Sequence, residues 1–293
     1  MAKISDVLAA GTCFSVELWP PRSEAAAQRL EEALRELAPL RPSFMSITYG
    51  AGGSTRQKTH DLVIRLLKEA GPPPMAHLTC TAHTEAELRS MLAAYRDEGV
   101  ENVLALRGDP PLDATEDLPE GDLKHAVELV ELAKSVGDLC VAVAAHPEGH
   151  PLSADIAEDR VHLAEKLQVA DFAITQFFFR VEAYLELVES LEKLGVSKPV
   201  LPGIMPITNV RTVSRMAELS GTEVPREIAG RVEAVADIPG EVSRIGVEVA
   251  TQLGERLLAE GAPGLHFYTM NSASATREVY SNLGLGRLRR DGA

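Results

Sequence analysis

The sequence contains no run of about 18 apolar residues, the length a helix needs to cross a bilayer, so no segment reads as membrane-spanning. Its first residues, MAKISDVLAAGTCFSVELWPP, lack the basic, apolar and cleavage regions of a secretory signal. Positive charge is in short supply: 29 Lys and Arg against 43 Asp and Glu give −14 with His neutral. A surface that binds phosphate backbones needs concentrated cations, so nucleic acid is not an expected partner. Cysteine is scarce as well. Cys13, Cys80 and Cys140 are odd in number and widely spaced inside apolar runs, which argues against a disulfide framework or a zinc site. No GxGxxG or GxxxxGK(S/T) phosphate loop occurs, and no GxSxG elbow. No apolar run holds an internal lysine, so a Schiff-base aldolase is not expected. A soluble cytoplasmic protein that acts on small molecules remains.

What is present is an alternation. Short β-rich apolar runs occur at 13–18, 44–49, 75–80, 102–107, 139–145, 172–177, 199–204 and 264–269. Each is too short for a stable helix and suits a strand buried on both faces. Between them lie amphipathic stretches at 24–38, 60–69, 84–98, 122–136, 154–168 and 181–194. Ser23, Thr84, Asp122 and Ser153 are candidate N-caps, and Gly71, Gly99, Gly137 and Gly195 stand where helices stop. Two or three extra helices are expected between strands 7 and 8, over 209–261, and a short closing helix over 274–283. Nothing in the composition marks a linker. The pattern predicts one (β/α)8 TIM barrel over residues 1–293 rather than an open doubly wound sheet, which would need a switch point.

Active sites of such barrels lie at the C-terminal strand ends, so polar residues late in the apolar runs are the candidates. Glu17 shares one face of strand 1 with Ser15, opposite Phe14, Val16 and Leu18, and Trp19-Pro20-Pro21 then ends the strand. A carboxyl buried there resists ionisation, which suits a general acid near neutral pH; a salt-bridged structural Glu is the alternative. Asp109 sits on a turn made rigid by Gly108 and two prolines, where it could hydrogen-bond a heterocycle or simply cap the turn. Gln176 ends strand 6 with an amide that both donates and accepts. His77 in strand 3 reads first as a core histidine. His146 and His150 flank a Pro–Glu–Gly loop, which breaks the i, i+4 geometry of a metal-binding helix, so no metal is assigned. Together these residues form a rim suited to a flat polar heterocycle.

Seven segments in register resemble the methylenetetrahydrofolate reductase family: FSVELWPP from Phe14, SITYGA from Ser46, AHLTC from Ala76, ALRGDPP from Ala105, AITQFFF from Ala173, LPGIMP from Leu201 and HFYTMN from His266. The resemblance runs from the first strand to the last helix, with the length of a bacterial catalytic barrel. It implies NADH- or NADPH-dependent reduction of 5,10-methylenetetrahydrofolate to 5-methyltetrahydrofolate through bound FAD by a ping-pong route. By the same resemblance Glu17 is the general acid, Asp109 lies near flavin and pterin, and Gln176 contacts the folate. Thr48, His77, Arg107, Gly108, His150, Asp159 and Lys166 would line the flavin. Assembly into a homo-oligomer is a further property of many relatives.

The chain departs from the family pattern at three places. His146 stands where tyrosine is common and is counted with the cofactor site; Glu165 precedes Lys166; Met216 takes a position often aromatic, at the substrate side. These departures motivate an alternative route, direct hydride transfer from NADH without flavin. Two further alternatives are a metal-dependent hydrolase using His77, His146 and His150, and a non-catalytic folate- or flavin-binding barrel.

Overall fold

Backbone pairing wraps completely around the molecule. In the computed structural model, which describes residues 2–50, 55–108 and 121–288, eight parallel strands close into a barrel in chain order. The strands are β1 (Cys13–Leu18), β2 (Phe44–Ile47), β3 (Pro74–Thr79) and β4 (Asn102–Leu106), then β5 (Cys140–Ala145), β6 (Phe172–Phe177), β7 (Val200–Ile204) and β8 (Gly264–Tyr268). Closure is made by β1 against β8, which sets Ser15 opposite His266 and Glu17 opposite Tyr268. The expected TIM barrel is therefore the observed one.

Helices α1 (Ile4–Ala10), α2 (Glu24–Leu37), α3 (Arg56–Lys68), α4 (Glu85–Asp97), α5 (Ala126–Val136), α6 (Ile156–Val169) and α7 (Val181–Lys193) precede β7. The insertion before β8 holds α8 (Val210–Ser220), α9 (Arg226–Glu233) and α10 (Glu241–Ala259); α11 (Ser274–Asn282) and α12 (Leu285–Leu288) follow it.

Period two along each strand separates two apolar layers. Phe14, Val16 and Leu18 of β1 pack outward with Leu30 and Leu37 of α2 in the large cluster between strands and helices. The opposite residues face the lumen. At its lower end Cys13, Phe44, Met75, Leu104, Cys140 and Phe172 pack together under Ile4 and Leu8 of α1. That helix plugs the barrel, and Asn102 fastens it, accepting the Ile4 N–H at 2.8 Å. The apolar pattern did not reveal α1, because seven residues hold too few turns for a period to show.

Other differences concern ends. Asp122 does not cap α5; its carboxylate accepts the Glu85 N–H at 2.8 Å, at the start of α4. The cap of α6 is Asp155, two residues beyond Ser153. After α3 the left-handed residue is Ala70, at φ 52°, and not Gly71. Ser23 and Thr84 do cap α2 and α4, the latter in a reciprocal capping box with Glu87.

Candidate active site

Glu17 is the last inward-facing residue of β1, and its side chain lies in the upper lumen with the residue only 8 % exposed. Among the described residues one hydrogen bond reaches it: the Trp19 indole N–H donates to Oε1 at 3.3 Å. His77 Nε2 stands 3.7 Å from Oε2, too far for a hydrogen bond. Desolvation dominates over the indole bond and raises the Glu17 pKa to about 8. Burial drives His77 the other way, to about 3. Both groups are thus neutral at pH 7, and their contact is not an ion pair. Among the described residues His77 Nε2 has no hydrogen-bond partner, although it is fully buried. An acid that keeps its proton beside an unfilled nitrogen is a costly arrangement for folding alone.

The backbone around Glu17 is held from β8. Thr269 donates through Oγ1 to the Glu17 carbonyl at 2.6 Å and accepts the Asn271 N–H at 3.2 Å. Asn271 then brackets Trp19: Oδ1 accepts the Trp19 N–H at 2.9 Å, and Nδ2 donates to the Trp19 carbonyl at 2.9 Å. Met270 and Asn271 are both left-handed, at φ 50° and 57°. Two consecutive non-glycine residues in that region are strained, and their polar contacts hold them there. Beside this corner a cleft of about 400 Å³ opens, lined by Trp19, Arg22, Arg29, Thr48 and Asn271 among others.

Deeper in the lumen His266 joins three strands. Its Nδ1 lies 2.8 Å from Ser15 Oγ on β1 and its Nε2 3.4 Å from Ser46 Oγ on β2, with the ring stacked on Phe44. Burial brings its pKa to about 3, so it too is neutral. Tyr268 crosses the mouth instead. Its hydroxyl donates to the Thr175 carbonyl of β6 at 2.7 Å, passing over Gly203 of β7. A Cβ on Gly203 would sit 2.6 Å from the tyrosine ring and 2.3 Å from the Thr175 oxygen. Glycine at 203 is what lets Tyr268 tie the Glu17 side of the barrel to the strand that carries Gln176. Gln176 is half-exposed at that end, and its Oε1 accepts the Phe177 N–H at 3.0 Å. With the oxygen engaged, its NH2 group is left to donate.

The remaining expected residues spread over neighbouring strand ends. Thr48 follows β2, bonded through its N–H to the Leu18 carbonyl and through its own carbonyl to the Thr59 hydroxyl. Arg107 and Gly108 leave β4, and Gly108 is left-handed at φ 86°, so close to Thr79 and Thr81 that a Cβ would clash. Asp109 lies outside the described residues. His146 and His150 pack edge to face with ring centroids 4.6 Å apart, and burial holds His146 at a pKa of about 3. His150 Nδ1 accepts the Leu152 N–H at 3.1 Å. Asp159 pairs with Arg160 at 2.7 Å, and Arg160 also donates to the carbonyls of His146 and Pro147. Lys166 Nζ donates to the Ala144 carbonyl at 2.9 Å, its pKa lowered by burial, while Glu165 points into solvent. Met216, on α8, packs with the insertion cluster around Phe177 and Met205. Among the described residues no three His, Cys, Asp or Glu are grouped to hold a metal ion.

Trp19, His266, Tyr268 and Asn271 carry much of this geometry, yet none stood out as a polar anomaly in the sequence. Thr269 and Asn271, at and just beyond the end of the last apolar run, were the available signal.

Residues 3–284 match the family model for methylenetetrahydrofolate reductase. The chain belongs to the methylenetetrahydrofolate reductase family. Among curated members it is 33 % identical over 275 residues to the 5,10-methylenetetrahydrofolate reductase of Escherichia coli, spanning 92 % of this chain and 90 % of that protein. It is 35 % identical over 297 residues to methylenetetrahydrofolate reductase (NADH) 1 of Arabidopsis thaliana, covering 97 % of this chain and about half, 50 %, of the plant protein. Its fold resembles that of an uncharacterised Clostridium thermocellum protein described as binding two copies of 5-methyl-5,6,7,8-tetrahydrofolic acid. The TM-score is 0.68 at 14 % identity, covering 98 % of this chain and all of that one.

Proposed function

We propose that this protein reduces the methylene carbon of 5,10-methylenetetrahydrofolate to a methyl group, with electrons from NADH or NADPH and Glu17 as the proton donor. The observation that carries this reading is a carboxyl buried in the upper lumen and held there by a single indole N–H among the described residues, where desolvation raises its pKa to about 8. The bridged methylene of the substrate becomes a hydride acceptor when one of its two nitrogens takes a proton and the ring opens to an iminium. Glu17 supplies that proton at neutral pH, and water is kept away from it by the packed strand ends. Gln176, held by its bond to the Phe177 N–H, offers an amide donor to the pterin from across the mouth. Asp109 would bind the same ring from the β4 side.

The residues fit a flavin. His77 Nε2 is an unfilled buried donor or acceptor, and Gly108 leaves the β4 turn bare of side chain. Thr48, His77, Arg107, Gly108, His146, His150, Asp159 and Lys166 would hold FAD. Bound by these residues, FAD would supply two-electron hydride chemistry between the nicotinamide and the folate. The alternative, direct transfer from NADH, draws on one observation: Arg160 and Lys166 are both engaged with protein oxygens on the β5 side. Cations so occupied attract a pyrophosphate less strongly.

Two measurements test the reading. Glu17→Gln should lower methylenetetrahydrofolate reduction by about 10²- to 10⁴-fold, while NADH still bleaches the flavin of FAD-loaded protein. Wild-type turnover in that variant would remove the acid assignment. A visible spectrum before and after FAD loading and desalting separates the two routes. Retained bands that bleach with NADH and recover with the folate support the ping-pong route. Colourless protein that oxidises NADH only with folate present supports direct transfer.

A further inference from the structure

We propose that Asn271 is a positioning residue for Glu17, acting through the Trp19 indole. The inference rests on the reading of Glu17 as the acid for its catalytic meaning, but its geometry stands apart from that reading. Trp19 follows the end of β1 and is 38 % exposed, so packing alone leaves its indole unrestrained. Two hydrogen bonds from one side chain fix its backbone instead, the Asn271 carboxamide spanning the Trp19 N–H and carbonyl at 2.9 Å each. With the peptide on both sides held, the side chain turns back along the strand and its N–H reaches Oε1 of Glu17. Thr269 secures the other end of the same three-residue arc at the Glu17 carbonyl. The whole device joins residues 252 apart in sequence.

Its chemical effect has a definite sign. An N–H donor favours the carboxylate over the acid, so the indole opposes the desolvation that raises Glu17. Asn271 therefore keeps the carboxyl acidic enough to release its proton while burial keeps it loaded. Among the described residues, the groups facing Glu17 from other elements do not titrate with it. His77 of β3 changes charge near pH 3 and Tyr268 of β8 well above its ordinary value, while Ser46 of β2 does not ionise.

The protein holds one tryptophan, and it is the one on the acid. Its emission, excited selectively over tyrosine, reads the charge of Glu17 in the absence of any ligand or turnover. In the wild type the emission should titrate with a midpoint near pH 8, and Glu17→Gln should flatten it. Asn271→Gly, which suits the left-handed backbone, should raise the midpoint by about half a pH unit as the indole bond weakens. An unmoved midpoint in Asn271→Gly overturns the proposal, as does a titration that persists in Glu17→Gln. Trp19→Phe provides a second test through the pH profile of folate reduction. Its alkaline limb should move upward by a similar amount; a uniform fall in rate with no displacement would mean that Trp19 only packs, and overturns the proposal. Failure of the acid reading looks different: Glu17→Gln would then turn over folate normally while the emission results stood.

Discussion

The two ends of the barrel lumen are walled by the same eight strands and buried to a similar degree, yet their chemistry is opposite. The lower end is a dry stack of Cys13, Phe44, Met75, Leu104, Cys140 and Phe172 closed by α1. The upper end holds Ser15, Glu17, Ser46, His77 and His266 in the equivalent inward positions one or two steps further along the strands. Apolar area in the lower layer contributes stability in proportion to what it removes from water. The upper layer withholds water from groups that want it, and it is tolerated because hydrogen bonds satisfy most of them. Among the described residues of this layer, His77 Nε2 and Thr79 Oγ1 have no partner, and Glu17 has only the indole bond. The fold is secured at one end so that the other can hold a carboxyl out of its ordinary ionisation range.

That contrast can be broken from either end. Phe172→Ala should cost about 3–5 kcal/mol of unfolding free energy by denaturant titration, because it opens a cavity in the apolar layer beneath α1. Emission of Trp19 should keep its pH midpoint in this variant. Glu17→Gln should act in the reverse sense, raising stability in a pH-dependent way. The carboxyl has a folded-state pKa of about 8 against an ordinary 4.5, so the folded form retains a proton that the unfolded chain has lost. Wild-type stability therefore falls between those two values and levels off above the upper one, whereas the glutamine variant lacks this contribution. Parallel stability curves from pH 5 to 8 would refute it. Ser15→Ala should cost about 1 kcal/mol by leaving His266 Nδ1 unpaired, and Ser46→Ala clearly less, since its bond is 3.4 Å rather than 2.8 Å. Equal losses from the two serines would mean that His266 is not held as described.

Much of the frame was legible because burial on both faces writes itself into composition. The bounds of β1 and β6 follow from their apolar runs, and Ser23 and Thr84 announce α2 and α4 by cap chemistry. Glu17 was legible for a related reason: a carboxylate inside such a run is an anomaly that few structural roles explain. Tyr268 and His266 were not, since either ring is common in cores and its partners lie on strands far away in sequence. The Ser15–His266 contact spans 251 positions and exists only because the barrel closes. Asp122 misled for a local reason, being a good capping residue that serves the neighbouring helix instead.

Barrel closure carries a consequence for how the protein comes into being. The residue proposed to give up a proton leaves the ribosome about 250 residues before Thr269 and Asn271, which seat it. A nascent chain that has emerged only as far as β7 has no wall on that side of β1, and its Glu17 is an ordinary hydrated carboxylate. Translation must therefore pass β8 before the carboxyl acquires its altered acidity. A truncated product released before β8 would lack the seat however well its other strands paired.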